Sequence, residues 1–144
     1  MCLFVNDYRT DYYKNKKSPI LCYKVVEIDE RGEFISPILK TKIKIDPDTL
    51  EFSINSSRRG KIEQSYNDPY SFFNHDRSVN KGIHAYVIKR KAVCGWVLKN
   101  SPIKRMIVRC WIHPKDILGV GDVYFGDITA KRIYFHPDDV GVVD

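Results

Sequence analysis

Ile20-Leu21-Cys22-Tyr23-Lys24-Val25-Val26-Glu27-Ile28 is the stretch on which the fold turns. A run this rich in β-branched and aromatic residues reads as a buried strand. It is closed by Asp29-Glu30-Arg31-Gly32, a turn in which Gly32 supplies the positive φ that such turns need. Glu33–Ile38 then returns as the strand's partner. In Lys40–Ile45, Ile43 and Ile45 alternate with Lys42 and Lys44, so one face can be buried and the other wet. Asp46-Pro47-Asp48 ends that segment, because proline cannot donate to a ladder.

Upstream, residues 1–19 are polar, with Tyr8, Tyr12, Tyr13 and the cluster Lys14–Lys17, and suit an N-terminal arm or a first edge element. Downstream, residues 53–80 carry loop chemistry in Ser56–Gly60 and Asn67-Asp68-Pro69. The aromatics Tyr66, Tyr70, Phe72 and Phe73 predict that this long irregular loop folds back onto the body. Ile83–Tyr86 is short and extended. Over Val87–Lys99 the period changes: Ile88, Ala92 and Trp96 fall on one stripe, with Lys89, Arg90 and Lys91 elsewhere on the wheel. This predicts one main helix over about residues 86–99, stopped by Asn100-Ser101-Pro102. Met106–Ile112 is the second convincing buried strand, ended by His113-Pro114, and Ile117–Val120 and Arg132–Phe135 are shorter strands. The expected fold is therefore α+β, a mostly antiparallel sheet with one helix packed on it, spanning residues 20–144 as a single domain.

Length and composition agree. A chain of 144 residues, 43% hydrophobic and 29% charged, fits one folded domain and excludes disordered and fibrous classes. No apolar run approaches the roughly 18 residues of a membrane span, and Leu3-Phe4-Val5 is too short for a signal-peptide core. The expectation is a soluble protein of the cell interior without membrane insertion. Cys2, Cys22, Cys94 and Cys110 form no CxxC pair, which argues against zinc-ribbon and thioredoxin chemistry and for free, mostly buried thiols. Removal of the initiator Met would turn Cys2 into an N-terminal nucleophile, a reading that stays open.

The net charge of +6 is unevenly spread. Arg77, Lys81, Lys89, Arg90, Lys91, Lys99, Lys104, Arg105, Arg109 and Lys115 form a block without a single acid, and the tail from Asp116 onward is acidic. Such a block can make a positive face for nucleic acid, phosphates or an acidic partner protein, or the fold can cancel it with the tail. Trp96 and Trp111 lie in core-like positions, which favours packing over base stacking. His113-Pro114-Lys115-Asp116 suits a strand-ending corner in which His113 and Asp116 bond across the turn, with ligand contact as the alternative. His84, between apolar neighbours, reads as a satisfied core histidine. No metal-ligand spacing, Gly-rich phosphate loop or catalytic constellation is present, so no metal, cofactor or catalytic residue is expected.

Three segments resemble the C-terminal domain of the bacteriophage rapid-lysis protein rIIB and its small phage relatives. They are Cys22-Tyr23-Lys24-Val25-Val26, Gly82-Ile83-His84, and Val108–Val120 with its His-Pro-Lys-Asp, followed in order by Ala130-Lys131-Arg132-Ile133-Tyr134. The resemblance implies a phage or prophage accessory protein in the infected host's cytoplasm. Its role would be non-catalytic binding in host interaction or counter-defence. Gly82-Ile83-His84-Ala85 also looks like the strand opening the second half of ADP-ribosyltransferase-like split sheets. There Tyr23 and Lys24 would stand where those enzymes place a His or Arg to grip NAD. The candidate binding residues are accordingly Lys89, Arg90, Lys91, Lys104, Arg105, His84, His113, Lys115, Asp116, Tyr23 and Lys24. The expected partner is a host protein or phosphate-bearing ligand, with a nucleic-acid-binding module using the 77–115 basic block and a nucleotide-binding ADP-ribosyltransferase-like protein as the alternatives.

Overall fold

The computed structural model describes residues 3–37, 40–54, 62–64, 77–79, 82–90, 92, 104–122 and 126–141. The chain adopts an α+β fold built on an eight-stranded antiparallel sheet that does not close into a barrel. Its strands are β2 (Ile20–Ile28), β3 (Phe34–Ile35), β4 (Glu51–Ser53), β7 (Ile83–Tyr86), β8 (Arg105–Ile112), β9 (Ile117–Val120), β10 (Asp127–Ala130) and β11 (Arg132–Phe135). They lie in the order β4-β11-β8-β2-β7-β10-β9, with β3 also on β2. A second sheet joins β1 (Leu3–Phe4), β6 (Arg77–Val79) and β5 (Ile62–Gln64) in the order β1-β6-β5.

The two strands expected to dominate do so. β2 and β8 pair along their whole length, from Ile20 opposite Ile112 to Glu27 opposite Arg105. On one face of this ladder lie Cys22, Val26, Val108, Cys110 and Ile112, all at most 0% exposed. They join Ile83, Ala85, Ile128, Ile133 and Phe135 in one core, covered in part by Phe34 and Ile43. The other edge of β2 is divided: Tyr23 pairs with Tyr86, whereas Glu27 and Ile28 pair with β3.

Among the described residues the longest helix is α1 (Asp7–Lys14). Of the helix expected over about 86–99, Tyr86 closes a strand, Val87 and Ile88 form a bend, Lys89, Arg90 and Ala92 are helical, and residue 91 and residues 93–99 lie outside the described residues. Asn6 caps α1, its side chain accepting from Arg9 N at 3.1 Å. Asn6 N donates to Val120 O at 2.8 Å, and Val120 N donates to the Thr10 hydroxyl at 3.0 Å. Helix and cap thus occupy the outer edge of β9, which a further strand would otherwise find open. Lys40–Ile45 is not a strand; it makes a single bridge, Lys42 to Ile35, although Ile43 is buried as its alternation predicted. Among the described residues no helix is long and apolar enough to cross a membrane.

Candidate functional site: the aromatic face between two His-Pro corners

Alternation along β8 sends Arg105, Ile107, Arg109 and Trp111 to the face opposite the core. Register then assembles rows across that face. Arg109 stands opposite Tyr23, Tyr23 opposite Tyr86, and Tyr86 opposite Asp127. One step along, Leu21, Trp111, Tyr134 and Glu51 form the next row. Trp111 is 37% exposed, so the expectation that it belongs to the core is corrected. The reason is parity: Cys110 and Ile112 take the core positions, and the ring between them must point the other way.

Beyond this row the strands end in matching corners. β8 runs into His113-Pro114-Lys115-Asp116, and β11 into His136-Pro137-Asp138-Asp139. In each, an extended His precedes a proline whose fixed φ starts a helical turn. In each, the aspartate three residues after the His meets an arginine of the neighbouring strand. Asp116 lies 3.5 Å from Arg132, and Asp139 lies 2.9 Å from Arg109. The expected corner at His113 is therefore present, with Asp116 N donating to His113 O at 2.9 Å. The side chain of Asp116 is buried and turned to Arg132, which also sits 3.5 Å from Glu51. The second corner went unnoticed in the sequence, although the repeated His-Pro-x-Asp was its signal.

His113 packs edge-on against Tyr134, ring centroids 5.2 Å apart and planes at 83°. Together with Trp111, Ser18 and Pro19 they line an open cleft of about 470 Å³. The cleft is lined mostly by the apolar surface of these side chains, which suits a flat or apolar group.

The other candidate residues are dispersed. Lys24 is buried on the core face, its Nζ donating to His84 O at 2.9 Å, and burial pushes its pKa down to about 8. Burial, and then the Lys24 charge, push His84 down to about 4, so its imidazole is neutral at physiological pH. Asp127, which no sequence motif marks, is pushed up to about 6 by burial alone. Arg105 is bound to the buried carboxylate of Glu27 at 3.2 Å, which Lys40 also contacts. Burial would raise that carboxylate, yet the hydrogen bonds and charges of Lys40 and Arg105 bring it below its ordinary value. For Arg109 the acidic tail does cancel the basic block, through Asp138 and Asp139.

Lys89, Arg90, Lys104 and Lys115 are exposed and pair with no described acid. Lys104 and Lys115 flank opposite ends of β8, an eight-residue strand that spans about 27 Å. They cannot belong to one compact patch. Lys91 lies outside the described residues. Among the described residues no cluster of His, Cys, Asp or Glu could hold a metal ion. Comparison of the chain with models of known families, with curated proteins and with solved structures finds no match.

Proposed function

We propose that this chain is a non-catalytic binding domain whose recognition surface is the aromatic face carrying Trp111, His113 and Tyr134. The observation that carries the reading is the exposure of Trp111, 37%, beside a cleft walled by His113, Tyr134 and Pro19. An indole left partly in water next to other rings is an efficient anchor for a partner. The two arginines flanking it, Arg109 and Arg132, are already paired with Asp139 and with Asp116 and Glu51. Contact there is therefore made through rings, and the paired charges hold those rings in place. The wider role, a phage accessory protein engaging a host factor, rests on the rIIB resemblance alone.

The second reading, a nucleic-acid module, draws on Lys89, Arg90, Lys104 and Lys115, which meet no acid among the described residues. The two separate by mutation. Lysate from the infected host is passed over immobilised wild type, Trp111→Ala, and Lys89→Glu/Arg90→Glu, with single-stranded oligonucleotide binding measured alongside. On the aromatic reading Trp111→Ala loses the captured partner and Lys89→Glu/Arg90→Glu keeps it. Oligonucleotide binding that falls steeply with salt, and vanishes in the Lys89→Glu/Arg90→Glu protein while Trp111→Ala is unaffected, supports the second reading instead.

A further inference from the structure

The sheet holds two thiols face to face. Cys22 and Cys110 occupy directly opposed positions of the antiparallel pair β2 and β8. Both are free, and both are 0% exposed. Directly opposed residues in such a ladder have Cα atoms about 4.5 or 5.5 Å apart, depending on which kind of pair they form. Either value falls inside the roughly 4.4–6.8 Å that a disulfide spans. Because opposed residues point to the same face, the two Cβ atoms project side by side rather than apart. Lys24 follows Cys22 on that face and is diagonal to Cys110; burial raises the Cys110 pKa to about 12, with the Lys24 charge opposing it.

We propose that Cys22 and Cys110 are a dithiol–disulfide pair that a hydroperoxide converts into a staple between β2 and β8. When the sheet opens and Cys110 loses its proton, its thiolate attacks one peroxide oxygen, with the Lys24 ammonium nearby. The O–O bond breaks, the leaving oxygen takes up a proton, and Cys110 becomes a sulfenic acid. The Cys22 sulfur then attacks the Cys110 sulfur, the S–O bond breaks, and water departs with the Cys22 proton. Two thiols are oxidised by two electrons, and with hydrogen peroxide as the oxidant two waters are formed. Burial keeps the unreacted pair reduced and inert until the sheet breathes. The bond would tie residues 88 positions apart across the central ladder, holding the core shut in its oxidised form.

The test uses the full chain in a Cys2→Ser/Cys94→Ser background, so that no other thiol is present. The protein is exposed to hydrogen peroxide when folded, and separately while refolding from denaturant. It is then unfolded, alkylated and analysed by mass. The expected result, by either route, is loss of the mass of two hydrogens, no alkylation, and a peptide linking Cys22 to Cys110. The melting temperature should rise with oxidation, return with dithiothreitol, and stay constant in a further Cys22→Ser variant. Full alkylation of both thiols by both routes, or oxygen additions on the separate cysteines without a link, overturns the proposal.

Discussion

Asp139 accepts three hydrogen bonds from Arg109: from the backbone N at 2.6 Å, from Nε at 3.0 Å and from Nη2 at 2.9 Å. The carboxylate stands where a strand partner would otherwise stand. β11 pairs with β8 up to Phe135 opposite Cys110, and at the next position His136 N still donates to Arg109 O at 3.1 Å. The chain then turns into the helical Pro137–Val140, and Asp139 reaches back to take the Arg109 N–H that the ended strand no longer meets. One side chain therefore satisfies the backbone and fixes the guanidinium on the aromatic face.

Hydrogen bonds from Arg109, with its charge, hold the Asp139 pKa below the ordinary carboxylate value, against the opposing effect of burial. A depressed folded value means that the stabilisation is complete above the unfolded pKa of about 4 and is lost as pH falls through the lower folded value. Asp139→Asn should be less stable than wild type at pH 7. Its stability should also fall less between about pH 4 and pH 2, so that the two curves converge in acid. Urea unfolding across that range measures this, and parallel curves would show that the pair does not form in solution.

The parity of β8 makes a sharper claim. Trp111 and Ile112 are neighbours in sequence, yet one is 37% exposed and the other 0%. Trp111→Lys should remain folded, losing no more than about 2 kcal/mol of apolar contact. Ile112→Lys should abolish cooperative unfolding, because an unpaired charge cannot be kept in that core. A register slipped by one residue would reverse the order of the two variants. Circular dichroism melts decide between them.

Much of this arrangement was legible in the sequence. Ile20–Ile28, Ile83–Tyr86, Ile117–Val120 and Arg132–Phe135 carry β-branched content and bounding turns that mark them as extended, and they are the observed strands. Helix α1 was not legible, because Asp7–Lys14 carries no apolar stripe and buries only Thr10. Its one local signal was Asn6 in the capping position before Asp7. Trp111 was misassigned because a strand of mixed pattern, Met-Ile-Val-Arg-Cys-Trp-Ile, does not reveal which parity faces the core until Cys22 is seen opposite Cys110. The Arg109–Asp139 contact joins residues 30 positions apart, and no local pattern encodes it.

Gly82 explains part of a motif that sequence resemblance singled out. Its φ is +143°, and a Cβ built there would meet Leu118 Cδ1 at 3.0 Å and Thr129 Cβ at 3.6 Å. A side chain there fits only if the Leu118 methyl gives way by a few tenths of an ångström. Gly32, at φ +80°, has nothing within 4 Å of such a Cβ. Gly82→Ala should therefore cost about 2 kcal/mol, from backbone strain and crowding together, against about 1 kcal/mol from strain alone for Gly32→Ala. Equal losses in denaturant unfolding would show that the close approach to Leu118 is absent.

Lys24 gives the clearest pH signature. Its Nζ has the His84 carbonyl as acceptor at 2.9 Å, and no described carboxylate is paired with it. Burial brings its pKa from 10.5 to about 8. The folded value lies below the unfolded one, so between about pH 8 and pH 10.5 the unfolded chain binds more protons than the folded chain. Stability in that window must rise with pH from this group, whereas below it the charged amine is carried in the core at a cost. Lys24→Met keeps the length of the side chain and removes the charge. It should leave stability at pH 7 unchanged or increased, despite the lost bond to His84 O, since apolar replacement of a buried charge is commonly neutral or better. Urea midpoints at pH 7, 8, 9 and 10 should climb in wild type relative to Lys24→Met. A constant difference across the series would place the amine in water and remove it from the sheet's interior.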